Sequence, residues 1–569
     1  MSLVRRTPLR LVVVALAAAL ALAACGSSSK GGGSSTSSTS GSTVAPGDVP
    51  TGGKLTIGAE QEPDCMDWLG TCAGSSWGSW MAENNTIPFA FLASGTGGDL
   101  KNTPGPVLAG APTVTQSPVE TITYQINPDA HWSDNVAITC DDFVYTADQQ
   151  QNGKDIYDRT GYVDIGSVTC PNPKTVVVKY KPGKTFASFE LLFSGTVGIM
   201  PSHILKGHDR NALMKDGYTW SGGPWIAKWN KGDSIVMTPN TNYWGAKPKL
   251  DEVTFKILAD TAAEFQAYRS GQVSVIYPQP QLDVVDAIGQ GLPNSNTIYN
   301  ANTGAAEALW INNAKPPFDT VPVRQALGYA IDRDAIVNRL FGGLGVKTAV
   351  NSLNPPVVKD YSNPNAWSNY KLDLTKVTSL MTGAGWAKGG DGIWAKGGQK
   401  ASFTINSTTS NKRRELTETI VQQQLKTAGF DMKILNQKAG DLFGKTLPAG
   451  DYQVGLFANQ LTSLVPGECN LFCSENIPTP ANGNSGNNWY RVNIKELDPL
   501  LRSVDQNLND ATRKSDAAKA DDIMATNQVT LPLDPLPDIV IWNKSVVGPI
   551  GDNAIMGPFW NLAEWGVKK

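Results

Sequence analysis

An α/β architecture spread over more than one domain is what this sequence predicts, on three observations. Its 569 residues exceed what one hydrophobic core usually organises. At 41% hydrophobic and 17% charged, the chain has enough apolar material to fold and too little charge for disorder. Strand-like segments dominate its first half, whereas its later part carries a strand, a long helix and a strand in succession. Lys+Arg of 48 against Asp+Glu of 51, a formal charge of −3, leaves no basic footprint for nucleic acid. Only three histidines occur, His131, His203 and His208, so no His-rich metal site and no cofactor are expected.

The N-terminus reads first as a leader. Arg5, Arg6 and Arg10 precede the apolar run Leu11–Leu22, too short for a helix across a roughly 30 Å hydrocarbon core but suited to a signal peptide over 1–24. The run ends in Leu22-Ala23-Ala24-Cys25, which resembles the bacterial lipobox, with Cys25 as the lipidated mature N-terminus. Residues 25–51 are rich in Gly, Ser and Thr and read as a flexible tether. No later apolar run is long enough to cross a bilayer, so the membrane is to be held through the lipid alone.

Folding is expected to begin near Gly52. Lys54–Ala59 and Glu120–Ile126 read as strands by alternation. Thr139 stands where it can cap a helix that turns Phe143, Val144 and Ala147 inward. Lys174–Tyr180, then DSIVMTPN and LDEVTFKIL, read as further strands. From Leu309 the rhythm changes. Val323, Ala326, Leu327, Ala330 and Ile331 fall on one helical stripe; Pro322 suits a first turn, with Asp319 or Thr320 as cap. Ser402–Thr408, a helix ending at Gly429 and then FDMKILN make a βαβ crossover, which implies a parallel pair.

Setting Cys25 aside leaves six cysteines in three local couples: Cys65 and Cys72, Cys140 and Cys170, Cys469 and Cys473. Export permits disulfides and an even count suits them, although six cysteines allow 15 pairings and free buried thiols are the alternative. The local pairing is chosen here. Its most demanding member is Cys469–Cys473, because Cβ atoms four apart in an α-helix are about 5–6 Å apart, beyond disulfide reach. That bridge needs a turn or a broken helix. Zinc is disfavoured, with no C-x-x-C couple.

Three long stretches then match a family in order. INPDAHWSDNVAITCDDFVYTAD, the segment from Ser221 to Leu258 with SGGPW and NYWG, and the segment from Leu309 to Val337 with PPFDTVPVRQALGYAIDR resemble the extracytoplasmic solute-binding proteins of peptide-type ABC importers. The resemblance implies a two-lobed, periplasmic-binding-protein-like α/β fold with mixed sheets, an extra β-rich subdomain in the large lobe and a hinge crossed twice. It places 52–305 and 530–569 in the large lobe and 306–529 in the small one. It implies a monomer on the outer face of the cytoplasmic membrane that holds a peptide or peptide-like solute and meets an ABC permease. A regulator or scaffold on the same fold, binding an envelope glycolipid, is the second reading.

The resemblance also nominates ligand residues. Relatives that bind peptides carry an aspartate for the α-ammonium group after a small-lobe strand. The matching stretch DYQVGLFANQ keeps an aromatic at Phe457 but has Asn459 or Gln460 where the acid would be, so a countercharge is missing there. Trp77 and Asn85, Trp310 near the first hinge crossing, and Trp489 and Tyr490 after ANGNSGNN complete the expected cleft. Enzyme chemistry is not expected: there is no P-loop and no H-E-x-x-H.

Overall fold

The computed structural model describes residues 48–95, 100–195, 197–300, 303–461, 463–465, 467–482, 484–548 and 550–568. The leader 1–24, Cys25 and the tether up to residue 47 lie outside the described residues. Among the described residues, no helix is long and apolar enough to cross a membrane.

Two mixed sheets organise the chain. The larger has seven strands, in the order Ser295–Asn300, Asp538–Asn543, Val275–Ile276, Lys54–Ala59, Glu252–Ile257, Ser234–Pro239 and Trp225–Asn230. Lys54–Ala59 runs parallel to Glu252–Ile257, Leu55 facing Val253 and Ile57 facing Phe255. Its alternation puts Leu55 and Ile57 into an apolar core shared with Val253 and Phe255. A separate four-stranded antiparallel sheet supplies the β-rich subdomain, with Thr121–Gln125 beside Thr175–Tyr180. The helix Cys140–Asn152 packs beside it. There the Thr139 N–H donates to Asp142 at 2.9 Å, the expected helix start.

The second sheet has five strands: Asp431–Ile434, Ser402–Asn406, Val454–Gln460, Ala305–Ile311 and Thr530–Pro535. Ser402–Asn406 and Asp431–Ile434 are parallel, joined by the helix Lys412–Ala428, as the βαβ reading requires. That helix ends at Gly429, whose φ of +98° is a left-handed cap other residues resist. The stripe Val323, Ala326, Leu327, Ala330 and Ile331 is buried throughout. Thr320 holds the cap position of its helix without a side-chain bond.

The chain passes between the sheets at 303–304 and again at 536–537. The second crossing corrects the boundary expected at 530. Thr530–Pro535 pairs with Ala305–Ile311, and Leu531 and Leu533 are buried in the small-sheet core. A proline-rich stretch reads as linker, but this one is the edge strand, where missing N–H groups cost no ladder bond. All three local disulfides are formed, with Cα–Cα distances of 5.8 Å (Cys65–Cys72), 5.7 Å (Cys140–Cys170) and 4.6 Å (Cys469–Cys473). The helix Cys469–Phe472 stops before Cys473, which is extended at φ −67° and ψ 141°. The helix is broken where the bridge needs it broken.

Beside the first crossing, Glu307 is a carboxylate in a strand whose residues are all buried. Arg414 reaches it with Nε at 2.8 Å and Nη2 at 3.2 Å, and Arg413 with Nη2 at 3.1 Å. Burial pushes its pKa up, but the two guanidinium groups hold it down at about 2. Glu307→Gln would leave two buried cations without their counter-ion. A loss of about 3–5 kcal/mol is expected in urea unfolding; a loss below about 1 kcal/mol would show that the pair is dispensable.

Candidate functional site

Between the sheets lies a cavity of about 290 Å³ with walls from both lobes. Its large-lobe wall follows from the short helical segment after Cys72. Trp77 and Trp80 stand there with ring centroids 5.7 Å apart, and Tyr277 meets both edge-on at 5.9 and 5.5 Å. The opposite wall is a row of rings on the small sheet. Phe457 stacks on Trp310 at 5.5 Å, Trp310 on Tyr490 at 4.8 Å, and Phe443 and Phe472 flank the row at 5.5 and 5.4 Å. Strand pairing sets this up: Ala305–Ile311 and Val454–Gln460 are antiparallel neighbours, and the Trp310 indole N–H donates to the Phe457 carbonyl at 2.6 Å.

Six of the seven residues expected at a cleft line this cavity: Trp77, Trp310, Phe457, Asn459, Trp489 and Tyr490. Phe457 and Trp310 are nearly fully buried, so they offer ring edges more than open faces. Asn459 donates to the Tyr490 hydroxyl at 3.0 Å. Trp489 reaches across to the large lobe, close to Gly74, where a Cβ would stand 3.9 Å from the indole. Asn85 is the exception. It is buried away from the lining and donates to the carbonyls of Trp80 and Met81 at 3.1 and 3.2 Å, tying down its own turn. Its neighbour Asn84 lines the cavity instead, donating to the Met556 carbonyl at 2.9 Å.

Sequence reasoning missed the charged lining. Glu60, Asp158, Glu468 and Arg414 all line the cavity. Arg414 is committed to Glu307, and its Nη1 donates to Thr408 at 3.0 Å. Glu60 accepts from Gln279 at 2.6 Å and from the Trp77 indole at 3.2 Å; burial raises its pKa, with Arg414 opposing. The missing aspartate at Asn459 therefore does not leave the cavity without carboxyl groups. One sequence signal existed for the hinge network: an acid inside the apolar strand AAEALWI needs a buried partner. A G-x-S-x-G spacing also lies here, Gly74-Ser75-Ser76-Trp77-Gly78, but no histidine lines the cavity to serve Ser76 as base.

Comparison with known proteins now decides the family. Residues 103–468 match the model described as bacterial extracellular solute-binding proteins, family 5 Middle. The chain belongs to that family. A putative ABC transporter peptide-binding protein of Brucella ovis is 31% identical over 290 residues, 47% of this chain and 51% of the relative. The chain thus spans about half the length of the curated relatives it matches first. The oligopeptide-binding protein AppA of Bacillus subtilis is 27% identical over 391 residues, 67% of this chain and 69% of that protein. The structure of AppA in complex with a nonapeptide superposes with a TM-score of 0.79 at 21% identity, covering 92% of this chain and all of that one. The two-lobed α/β fold is therefore that of family 5 solute-binding proteins.

Around the cavity this family-5 protein buries carboxyl groups that have no cation. Burial pushes Glu83 to about 8, and burial with the field of Glu62 pushes Asp64 to about 7. For such groups the folded chain keeps a proton that the unfolded chain releases above about pH 4.5. Their contribution to stability is full below about pH 4 and is lost as the pH rises toward 8. Thermal unfolding across that range is expected to show the midpoint falling, and Glu83→Gln should flatten the fall; a midpoint rising to pH 8 would contradict it.

Proposed function

We propose that this chain is the lipid-anchored, extracytoplasmic substrate-binding component of an ABC transporter, capturing a peptide or peptide-like solute between its lobes and delivering it to a permease. The observation that carries the reading is the cavity between the sheets with aromatic walls from both lobes. Rings accept varied apolar side chains, while the few amides, among them Asn459 and Asn84, can orient a backbone. A volume of about 290 Å³ sits at the small end of the roughly 300–1,000 Å³ usual for ligand sites, which favours a short solute. The relatives named as peptide-binding and oligopeptide-binding proteins support the same reading. Two chain crossings beside one another form a hinge about which the lobes can part and close.

The role of Cys25 rests on the lipobox-like Leu22-Ala23-Ala24-Cys25 and the tether after it. Cys25→Ser is expected to move the protein from the membrane fraction to the soluble fraction in detergent partitioning. A variant that stays with the membrane would exclude the anchor.

The capture itself is tested by native mass spectrometry of the protein purified from its own host, with release of the bound solute after denaturation. A retained peptide or peptide-like molecule is expected. Trp489→Ala, which removes the ring reaching across to Gly74, should weaken rebinding of that molecule about tenfold in calorimetry, from lost stacking and lost closure. An unchanged affinity, or a retained solute of unrelated chemistry, would overturn the proposal.

A further inference from the structure

One end of the cavity is built from acids that no cation neutralises. Glu468 and Asp158 line it, from the small and the large lobe respectively. Behind Glu468 stands Asp505, only 4% exposed, whose Oδ1 has no hydrogen-bond partner. Asp505 lies directly over the cavity-lining Gly467: a Cβ built on that glycine would fall 2.4 Å from Oδ1 and 2.9 Å from Oδ2. Asp521, fully buried, adds a second unpartnered oxygen on the far side.

Among the described residues, no cation is paired with these carboxyl groups. Arg513 is the cation whose field reaches Asp505, yet its guanidinium donates to the Val504 carbonyl at 2.6 Å and to Ser188 at 2.7 Å. Among the described lining residues there is no lysine, and the single arginine, Arg414, is taken by Glu307. Burial, with Asp521 and Asp505 nearby, pushes the Glu468 carboxyl well above the usual range. Carboxyl groups gathered in this way hold protons while the cavity is empty, and a cationic group entering among them takes the place of a proton and ionises the carboxyl it meets.

We propose that Glu468, Asp505 and Asp158 form a subsite for a cationic group of the captured solute, an ammonium or guanidinium side chain, and so select cationic peptides. This rests on the peptide-capture reading above and adds the charge of the ligand to it. Glu468 is the contact that faces the cavity, Asp505 sets its field from behind Gly467, and Asp158 brings the opposite lobe to the same charge, coupling recognition to closure. The aromatic walls then hold the apolar remainder of the solute. This places the countercharge away from Asn459.

The test uses the mature protein and a pool of N-acetylated di- and tripeptides in which each sequence occurs with lysine and with norleucine at one position. Peptides retained after equilibrium capture are counted by mass spectrometry. Wild type is expected to retain the lysine member at least about tenfold over its norleucine twin. E468Q, and separately D505N, should bring that ratio toward one, and circular-dichroism spectra and unfolding midpoints close to wild type show that the variants are folded. Equal retention of both members by wild type would overturn the cationic subsite alone. So would selectivity that survives both substitutions. Retention of no peptide at all would overturn the peptide reading and this subsite with it.

Discussion

The buried tie between Glu307 and the pair Arg413–Arg414 is the constraint on which the site depends. A carboxylate in the middle of a fully buried strand costs several kcal/mol unless its charge is met. Here it is met by two consecutive arginines at the start of the helix Lys412–Ala428. The helix start is thereby fixed over the strand Ala305–Ile311, beside the point where the chain enters the small lobe. Arg413 then passes the constraint to the other lobe, donating to Gln279 at 3.0 Å, and Gln279 donates in turn to Glu60 on the cavity wall. A single stretch of polar contacts thus links the hinge, the helix and the binding wall.

The rest of the contact between lobes has a different character. The two largest apolar cores, one on each sheet, are separate; Leu344 joins Val284 and Val285 in a small third cluster, and side-chain hydrogen bonds also cross between the lobes. Asn487 donates to the Tyr157 hydroxyl at 2.7 Å, Thr185 to the Gln506 carbonyl at 2.7 Å, and Gln460 to the Ala554 carbonyl at 2.5 Å. Each such bond exchanges for one to water at little net cost, about 0.5–1.5 kcal/mol. A shared core could not be pulled apart so cheaply. The arrangement suits a cleft that opens and closes while each lobe stays folded, which is the motion a captured solute requires.

Much of this fold was legible because periodicity records burial. The strand Lys54–Ala59, the stripe from Val323 to Ile331 and the βαβ unit around Gly429 all alternate or repeat as their environments demand. The broken helix at Cys473 was legible from covalent geometry. The boundary at 530 was not, because prolines in LPLDPLP look the same in a linker and in an edge strand; only the neighbour Ala305–Ile311 distinguishes them. Aromatic residues of the site were legible only as a set that fits a cleft, since any single large ring is more often part of a core. Asn85 and Asn84 show the limit. They are adjacent amides, and which one faces the cavity depends on the rotation of a single short turn.

Charge in the cavity was the least legible feature, for a physical reason. Glu60, Asp158, Glu468 and Arg414 come from four distant stretches, and each by itself reads as an ordinary surface residue. What makes them a site is shared removal from water, a property of the fold and not of any segment. The same logic revises the meaning of Asn459. Considered along the chain, an amide in place of an acid removes the one charge expected to greet a ligand. Considered in three dimensions, Asn459 is hydrogen-bonded to Tyr490 within an aromatic wall, and negative charge enters from the segment around Glu468 and from the opposite lobe at Asp158. A neutral wall beside a charged end orients a solute by its own asymmetry: an apolar face finds the rings and a polar end finds the carboxyl groups.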